Sequence, residues 1–282
     1  MYELTIENHK GERLTLTQNP NYSVVNIDGL NPPKADINTA VNANFDGASF
    51  KSSRVNSRNI VVDLYIEGNT EANRIALYNY IRVKRAVTVY YKNGRRDVYI
   101  RGYVEALVCG LFDKKEKAQI SIICPRPYFR DTRGGSVEVS NIEPLFEFPF
   151  DIDVDGIEFS RMETDTETVV TNNGDIETGF VATFAAFGAV TTPTLYNTDT
   201  GEYLRFILSL DEGDTLTVST VKGAKVVTLT HDGTTTNAIN YMDAGSTWLQ
   251  LETGDNVLLY TADTLPENAT CSIVFDELYE GV

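Results

Sequence analysis

The stretch Val87-Thr88-Val89-Tyr90-Tyr91-Lys92-Asn93-Gly94-Arg95-Arg96-Asp97-Val98-Tyr99-Ile100 decides how this chain is read. Two runs of β-branched and aromatic residues flank Asn93-Gly94, and a two-residue Asn-Gly loop accepts the positive φ at both positions that a type I′ hairpin turn requires. The stretch is therefore expected to form an antiparallel hairpin. The same period-two pattern continues outward on both sides. Ile60-Val61-Val62-Asp63-Leu64-Tyr65-Ile66 precedes it and Ala118-Gln119-Ile120-Ser121-Ile122-Ile123 follows, each bounded by turn or charged residues.

One helix interrupts the strands. Gly68-Asn69-Thr70 offers an N-cap, and Glu71 sits in the first turn, where its charge favours the helix dipole. Ile75, Tyr78 and Ile81 recur at helical spacing on one side, and Arg82, Lys84 and Arg85 follow at the C-terminal end, where positive charge complements the dipole. A strand, a helix and a hairpin in that order describe an α+β module, or a β-sandwich carrying one helix.

The composition shifts near Asp131-Thr132-Arg133-Gly134-Gly135-Ser136. Beyond it no helical pattern is found. Short strands alternate with turn signals such as Gly174-Asp175, Thr200-Gly201, Glu212-Gly213-Asp214 and Asp232-Gly233, which suggests an all-β sandwich of jelly-roll type. Thr217–Val221 and Lys225–Leu229 are expected to pair across Gly223-Ala224. The 282 residues thus divide into two expected domains, 1–133 and 134–282, and the fold class is mainly β.

Charge sharpens that division. Residues 1–133 hold 20 Lys+Arg and 14 Asp+Glu (net +6), whereas 134–282 hold 4 and 26 (net -22), so the total of -16 describes neither part. Phosphate binding relies on Lys and Arg displacing counterions, which argues against nucleic-acid binding by the second domain. In the first, Arg82, Lys84, Arg85, Lys92, Arg95, Arg96 and Arg101 lie near Tyr90, Tyr91, Tyr99 and Tyr103. Such residues form either a base-stacking platform or a wet polar protein interface, and a net of only +6 favours the interface.

Motifs for bond chemistry are scarce. Cys109, Cys124 and Cys271 make no C-x-x-C pair or disulfide framework, and His9 and His231 are the two histidines available as ligands or bases. Asp151-Ile152-Asp153-Val154-Asp155-Gly156 matches the first half of a calcium loop, yet the twelfth position is Met162. Phe146, Phe148, Phe150, Ile152 and Val154 also alternate with mostly acidic residues, as a strand with one solvated face would. With 26 acidic residues in the second domain, carboxylate pairs arise by chance and single out no glycosidase site. Trp248 alternates with Leu249 and Leu251, which leaves it open to weak sugar contact, although a place in the core or on an edge suits it better. No nucleophile elbow, phosphate loop, dinucleotide fingerprint or zincin motif occurs. Nor is there a signal peptide or an apolar run of the ~20 residues needed to span a membrane. The chain reads as a non-enzyme without cofactor or metal.

The series of motifs resembles a known family. Val24-Val25-Asn26-Ile27-Asp28-Gly29-Leu30, the strand region Arg54–Ile66, the single helix, the hairpin and the closing Cys124-Pro125-Arg126-Pro127-Tyr128-Phe129 are similar to the N-terminal domain of siphovirus-type phage distal tail proteins (Dit). Phe148-Pro149-Phe150, Asn173–Thr178, Thr192–Asn197, Gly213–Leu216, Leu251–Asn256 and Tyr279-Glu280-Gly281-Val282 resemble that family's galectin-like C-terminal domain. Thr192-Pro193 stands where Asn-Pro is expected, and Asp255 enlarges a usual glycine-led turn.

The resemblance implies a virion structural protein of the tail tip or baseplate, assembled in the host cytoplasm. N-terminal domains would close a homo-hexameric ring around a channel through which DNA only passes, between the major tail tube protein and the tail-associated hub protein. The outer sandwiches would serve as attachment points for receptor-binding proteins. A ring closed by rotation needs two different complementary patches on each protomer. Tyr91, Arg95, Arg96 and Tyr99 are expected to form one of them. Two other readings stay open: a carbohydrate-binding module for host-surface attachment, resting on Trp248, and, behind it, a glycan hydrolase with two acidic residues in a deep cleft.

Overall fold

The structure is a computed structural model that describes residues 2–41, 46–111, 115–144, 160–163 and 167–282. They fold as two units, Met1–Thr132 together with Leu278–Val282, and Arg133–Glu277.

The first unit contains β1 (Glu3–Glu7), β2 (Arg13–Thr15), β3 (Tyr22–Asp28), β4 (Ala35–Val41), β5 (Ala48–Val55), β6 (Arg58–Ile66), α1 (Thr70–Tyr80), β7 (Ala86–Lys92), β8 (Asp97–Cys109), β9 (Lys117–Cys124) and β10 (Phe129–Asp131), and the last strand of the chain, β25 (Leu278–Tyr279). Its main sheet runs β2-β1-β7-β8-β9-β6-β3, with β10 joined to both β8 and β25. Alternation decides what each strand buries. On β6 the even-numbered residues Ile60, Val62, Leu64 and Ile66 point inward and their odd-numbered neighbours are half-exposed or exposed. Leu4, Ile6, Val89, Val98, Ile100, Ile120 and Ile122 join them in one core drawn from both ends of the sheet. Each such side chain contributes about 1.5–3 kcal/mol when fully buried.

The hairpin around residues 93–94 forms with a different turn from the one expected. The main-chain N–H of Asn93 donates to the Arg96 carbonyl at 2.8 Å, and neither Asn93 nor Gly94 has positive φ. The Asn93 side-chain oxygen instead accepts the Arg95 and Arg96 N–H groups at 2.8 Å each. Those two bonds hold Asn93 at the corner of the loop rather than within it.

Helix α1 starts where expected, with Asn69 Oδ1 capping the Ala72 N–H at 3.3 Å. Its buried face differs from the expected one. Leu77 and the C-cap Ile81 are buried, while Ile75 and Tyr78 are 48% and 38% exposed. Three-residue steps drift by about 60° around a helix, so Ile75, Tyr78 and Ile81 straddle the edge of the packed face. Arg82 lies beyond the last turn, and its Nε donates to the Asn79 carbonyl at 3.2 Å.

Strands β4 and β5 pair only with each other among the described residues and form an arm. One face is polar, with Arg54 and Asn56 on Asp36 and Asn38 on Ser52. The other shows Ile37, Val41 and Phe50 at 56%, 86% and 65% exposure.

The second unit contains β11 (Gly135–Glu138), β12 (Asn141–Pro144), β13 (Ser160–Glu163), β14 (Thr168–Asn172), β15 (Phe180–Ala186), β16 (Val190–Thr191), β17 (Thr194–Asn197), β18 (Tyr203–Arg205), β19 (Ser209–Leu210), β20 (Thr215–Ser219), β21 (Val226–His231), β22 (Thr234–Asn237), β23 (Gly254–Thr261) and β24 (Ala269–Phe275). A six-stranded sheet β11-β24-β15-β20-β21-β22 and a four-stranded sheet β14-β23-β17-β18 share one core. Phe180, Phe184, Leu216, Val218 and Ile273 from the first meet Val170, Leu195, Leu204, Leu258 and Tyr260 from the second, which makes an antiparallel β-sandwich. The β20–β21 hairpin forms across Gly223, whose φ is +79°.

Two differences from the sequence reading stand out here. Residues 278–282, assigned by sequence to the second domain, pair with the first unit. Residues 246–250 form no strand, so alternation does not govern Trp248, which is half-buried against the sandwich core. The calcium-like Asp151–Gly156 and the alternating Phe146–Asp155 lie outside the described residues.

Candidate functional site

The outer face of β2, β1, β7 and β8 carries three cross-strand rows. Register places Glu3 beside Lys92 and Lys92 beside Asp97; Thr15, Thr5, Tyr90 and Tyr99 follow in line; Arg13, Glu7, Thr88 and Arg101 complete the face. Neighbours in such rows are close enough for side-chain pairing. Lys92 Nζ meets Asp97 Oδ2 at 2.7 Å, and Thr5 and Thr15 share a hydroxyl bond at 2.9 Å. Arg13 Nε donates to Glu7 Oε2 at 2.7 Å and its Nη2 to Tyr90 Oη at 3.1 Å, while the Tyr90 hydroxyl donates to Glu7 Oε2 at 3.2 Å. All of these residues except Glu7 and Thr88, together with Thr132, line an open groove of about 650 Å³.

Aromatic rings and cations set its chemistry. The Tyr90 and Tyr99 rings are 5.9 Å apart, with Arg13 over Tyr90 at 4.5 Å and Arg101 over Tyr99 at 5.5 Å. Burial, then Glu7, pushes the Tyr90 phenol above its ordinary range, so it stays a neutral hydrogen-bonding group. A surface of rigid aromatic rings under guanidinium groups, with paired charges at its edges, has the composition of a protein-binding face.

A second constellation lies in the same unit. Arg58 opens β6 on its inward side and is 5% exposed. Its guanidinium donates to the carbonyls of Pro127 (2.6 Å), Gly29 (2.6 Å), Asn31 (2.9 Å) and Glu280 (2.5 Å), and lies 4.7 Å from the Phe129 ring centroid. Burial lowers its pKa from the usual range. Gly29, at φ +88°, lets the backbone approach, because a Cβ there would sit 2.2 Å from the Asn59 carbonyl oxygen. The closing Cys-Pro-x-Pro-Tyr-Phe segment thus supplies one acceptor and the ring for this clasp.

The four residues expected to form an assembly patch are distributed between these features. Tyr99 is in the groove. Tyr91, one residue on from Tyr90, points to the opposite side of β7, packs on the core and stacks on Tyr2 at 6.4 Å. Arg96 lies 3.7 Å over the Tyr279 ring and holds the returning C-terminal strand, while Arg95 is exposed at the turn. Arg13 and Arg58 did not emerge from the sequence. Arg58 had a signal: it shares the parity of Ile60, Val62, Leu64 and Ile66 on an otherwise inward face.

In the second unit Lys225 Nζ lies 5.2 Å over the Trp248 ring. His231 Nδ1 pairs with Asp214 Oδ1 at 2.6 Å, and this bond holds the imidazole pKa above its ordinary value. Burial pushes the Cys124 thiol up to about 12 and the Cys271 thiol up as well, which leaves both inert as nucleophiles. Among the described residues no cluster of three His, Cys, Asp or Glu side chains could hold a metal ion.

Two family models match the sequence. The phage tail protein RIFT-related domain matches residues 9–123, and the siphovirus-type tail component, C-terminal domain, matches residues 173–279. Among solved structures, the chain is similar to the Dit protein of phage SPP1, described as a paradigm of the hub adsorption apparatus in phages infecting Gram-positive bacteria. The TM-score is 0.69 at 15% identity over 99% of both chains. It is also similar to a chain of the phage P2 baseplate in its activated conformation with Ca, with a TM-score of 0.53 at 11% identity over the whole of both chains. At these identities the two structures establish the shared fold. No curated protein matches.

Proposed function

Because this chain belongs to the siphovirus-type distal tail protein family, a mainly β phage tail and baseplate component, we propose that it is a non-enzymatic hub whose protomers close into a hexameric ring at the tail tip. The ring joins the tail tube to the tail-associated hub protein and leaves a channel for DNA. Virion assembly in the host cytoplasm goes with this reading.

The observation that carries it is the arm. A two-stranded hairpin is marginally stable alone in water, and this one leaves Ile37, Val41 and Phe50 exposed on a single face. Such a strip is suited to being covered by another protein. A heterologous ring needs two unlike patches per protomer. The arm supplies one, and the Tyr90–Tyr99 groove, with Arg95 at its hairpin tip, supplies the other. The acidic second unit is left for solubility or for docking receptor-binding proteins.

Negative-stain microscopy and mass photometry of the purified chain test this reading: six-fold rings are expected, and a population of monomers at all concentrations would sink it. The sugar-binding reading has less support, since Trp248 packs partly buried against the sandwich core and Lys225 Nζ lies 5.2 Å over its ring.

A further inference from the structure

Strand β22, Thr234-Thr235-Thr236-Asn237, is the outermost strand of the six-stranded sheet, and all four residues are exposed. It is held in tight register by a two-residue turn, Asp232-Gly233, with φ of 47° and 74°. In such a hairpin the pairs His231/Thr234 and Leu229/Thr236 carry the ladder bonds, and the Ala238 N–H continues the series to the Val227 carbonyl at 3.0 Å. The N–H and C=O groups of Thr235 and Asn237 therefore face away from the sheet.

Sheet edges are ordinarily defended by lysine, proline, a bulge or a covering segment. The β18 edge of the four-stranded sheet is defended in this way: Asp243 N–H and Thr247 N–H donate to the Arg205 and Tyr203 carbonyls at 2.9 Å. β22 carries no charge, no proline and no bulge, and its three threonines favour extended structure. The unit that carries it is acidic. Residues 133–277 hold 5 Lys+Arg against 25 Asp+Glu, and the side chain of Asp232, at the turn that leads into the strand, is 92% exposed, with His231 Nε2 3.6 Å away.

We propose that β22 is a strand-addition site for an extended, lysine- or arginine-bearing segment of a partner protein. Main-chain bonds form at Thr235 and Asn237, and a partner cation faces Asp232. The site is independent of the ring reading, since it lies in the other unit and uses neither the arm nor the groove.

Amide hydrogen exchange on the full-length protein tests the site, with two synthetic probes, a seven-residue peptide alternating threonine with lysine and its threonine–glutamate counterpart. The lysine peptide is expected to slow exchange at Thr235 and Asn237 by about tenfold, and to lose that effect in high salt. Thr235→Pro, which removes an outward N–H and leaves the ladder bonds intact, should abolish the slowing at Asn237 while the far-ultraviolet spectrum is unchanged. Exchange unaltered by the lysine peptide, or slowed equally by both peptides, overturns the proposal. So does slowing that appears without peptide and grows with protein concentration, which would assign the edge to a second copy. The peptide comparison on the unaltered protein decides the matter even if Thr235→Pro fails to fold.

Discussion

The guanidinium of Arg58 donates to the carbonyl of Glu280, 222 residues further along the chain, at 2.5 Å. Three other carbonyls converge on the same buried side chain, so removing it strands several acceptors. Arg58→Ala is expected to destabilise the first unit by about 3 kcal/mol or more, at roughly 1–3 kcal/mol per unsatisfied group. Trp248, the sole tryptophan, lies in the second unit and reports that unit alone. Urea unfolding should therefore show an earlier circular-dichroism transition with the fluorescence transition unmoved. Coincident, unshifted transitions would refute the clasp.

Arg95 and Arg96 separate under substitution. Arg95→Glu changes an exposed turn residue and should lower ring assembly while leaving the stability within about 0.5 kcal/mol of the parent. Arg96→Glu also removes the cation from the Tyr279 ring, 3.7 Å away, and should lower both assembly and stability. Light scattering with thermal melts distinguishes the two, and an unchanged mass for Arg95→Glu would remove that residue from the interface.

Arm residues have the opposite profile from core residues. Ile37→Asp and Phe50→Asp place charge on a strip that is already exposed in the single chain, so folding should be little affected. If the strip is buried between protomers, each change should weaken association by about 2 kcal/mol, near thirtyfold. Sedimentation velocity at several concentrations reads this directly, and a ring population equal to the parent's would place the arm elsewhere.

The His231–Asp214 pair gives the second unit a dependence on pH. The imidazole pKa is raised on folding by the Asp214 hydrogen bond, then by the charges of Asp214 and Asp232. A raised cationic group stabilises fully below its unfolded value of about 6.5 and loses that contribution as pH rises through the folded value. His231 is exposed, so the effect is small. Melts of the parent from pH 5.5 to 8.5 should fall slightly more steeply than those of His231→Ala; parallel curves would show that the bond does not matter.

Much of this fold is legible in residue order because its cores obey period two. Ile60 through Ile66 and Ala118 through Ile122 bury the residues that alternation selects. The helix start was legible from Asn69, whereas its packed face was not, because Ile75 and Tyr78 have the same apolar character as Leu77 and Ile81 and only the sheet beneath decides between them. The groove was legible in part. Tyr99, Lys92 and Arg101 belong to one hairpin, but Arg13 reaches Tyr90 from 77 residues away, through strand pairing that no local pattern encodes. Tyr91 and Tyr99 are near neighbours along the chain, but the hairpin register places them on opposite faces of the sheet.

The pairing of β25 with β10 makes the second unit an insertion between Thr132 and Leu278 of the first. During synthesis, about 145 residues must emerge after Thr132 before the first unit receives its closing strand and Arg58 its fourth acceptor. Until then the first unit lacks the strand that pairs with β10. Folding of the first unit therefore depends on residues that the chain supplies only after the whole second unit.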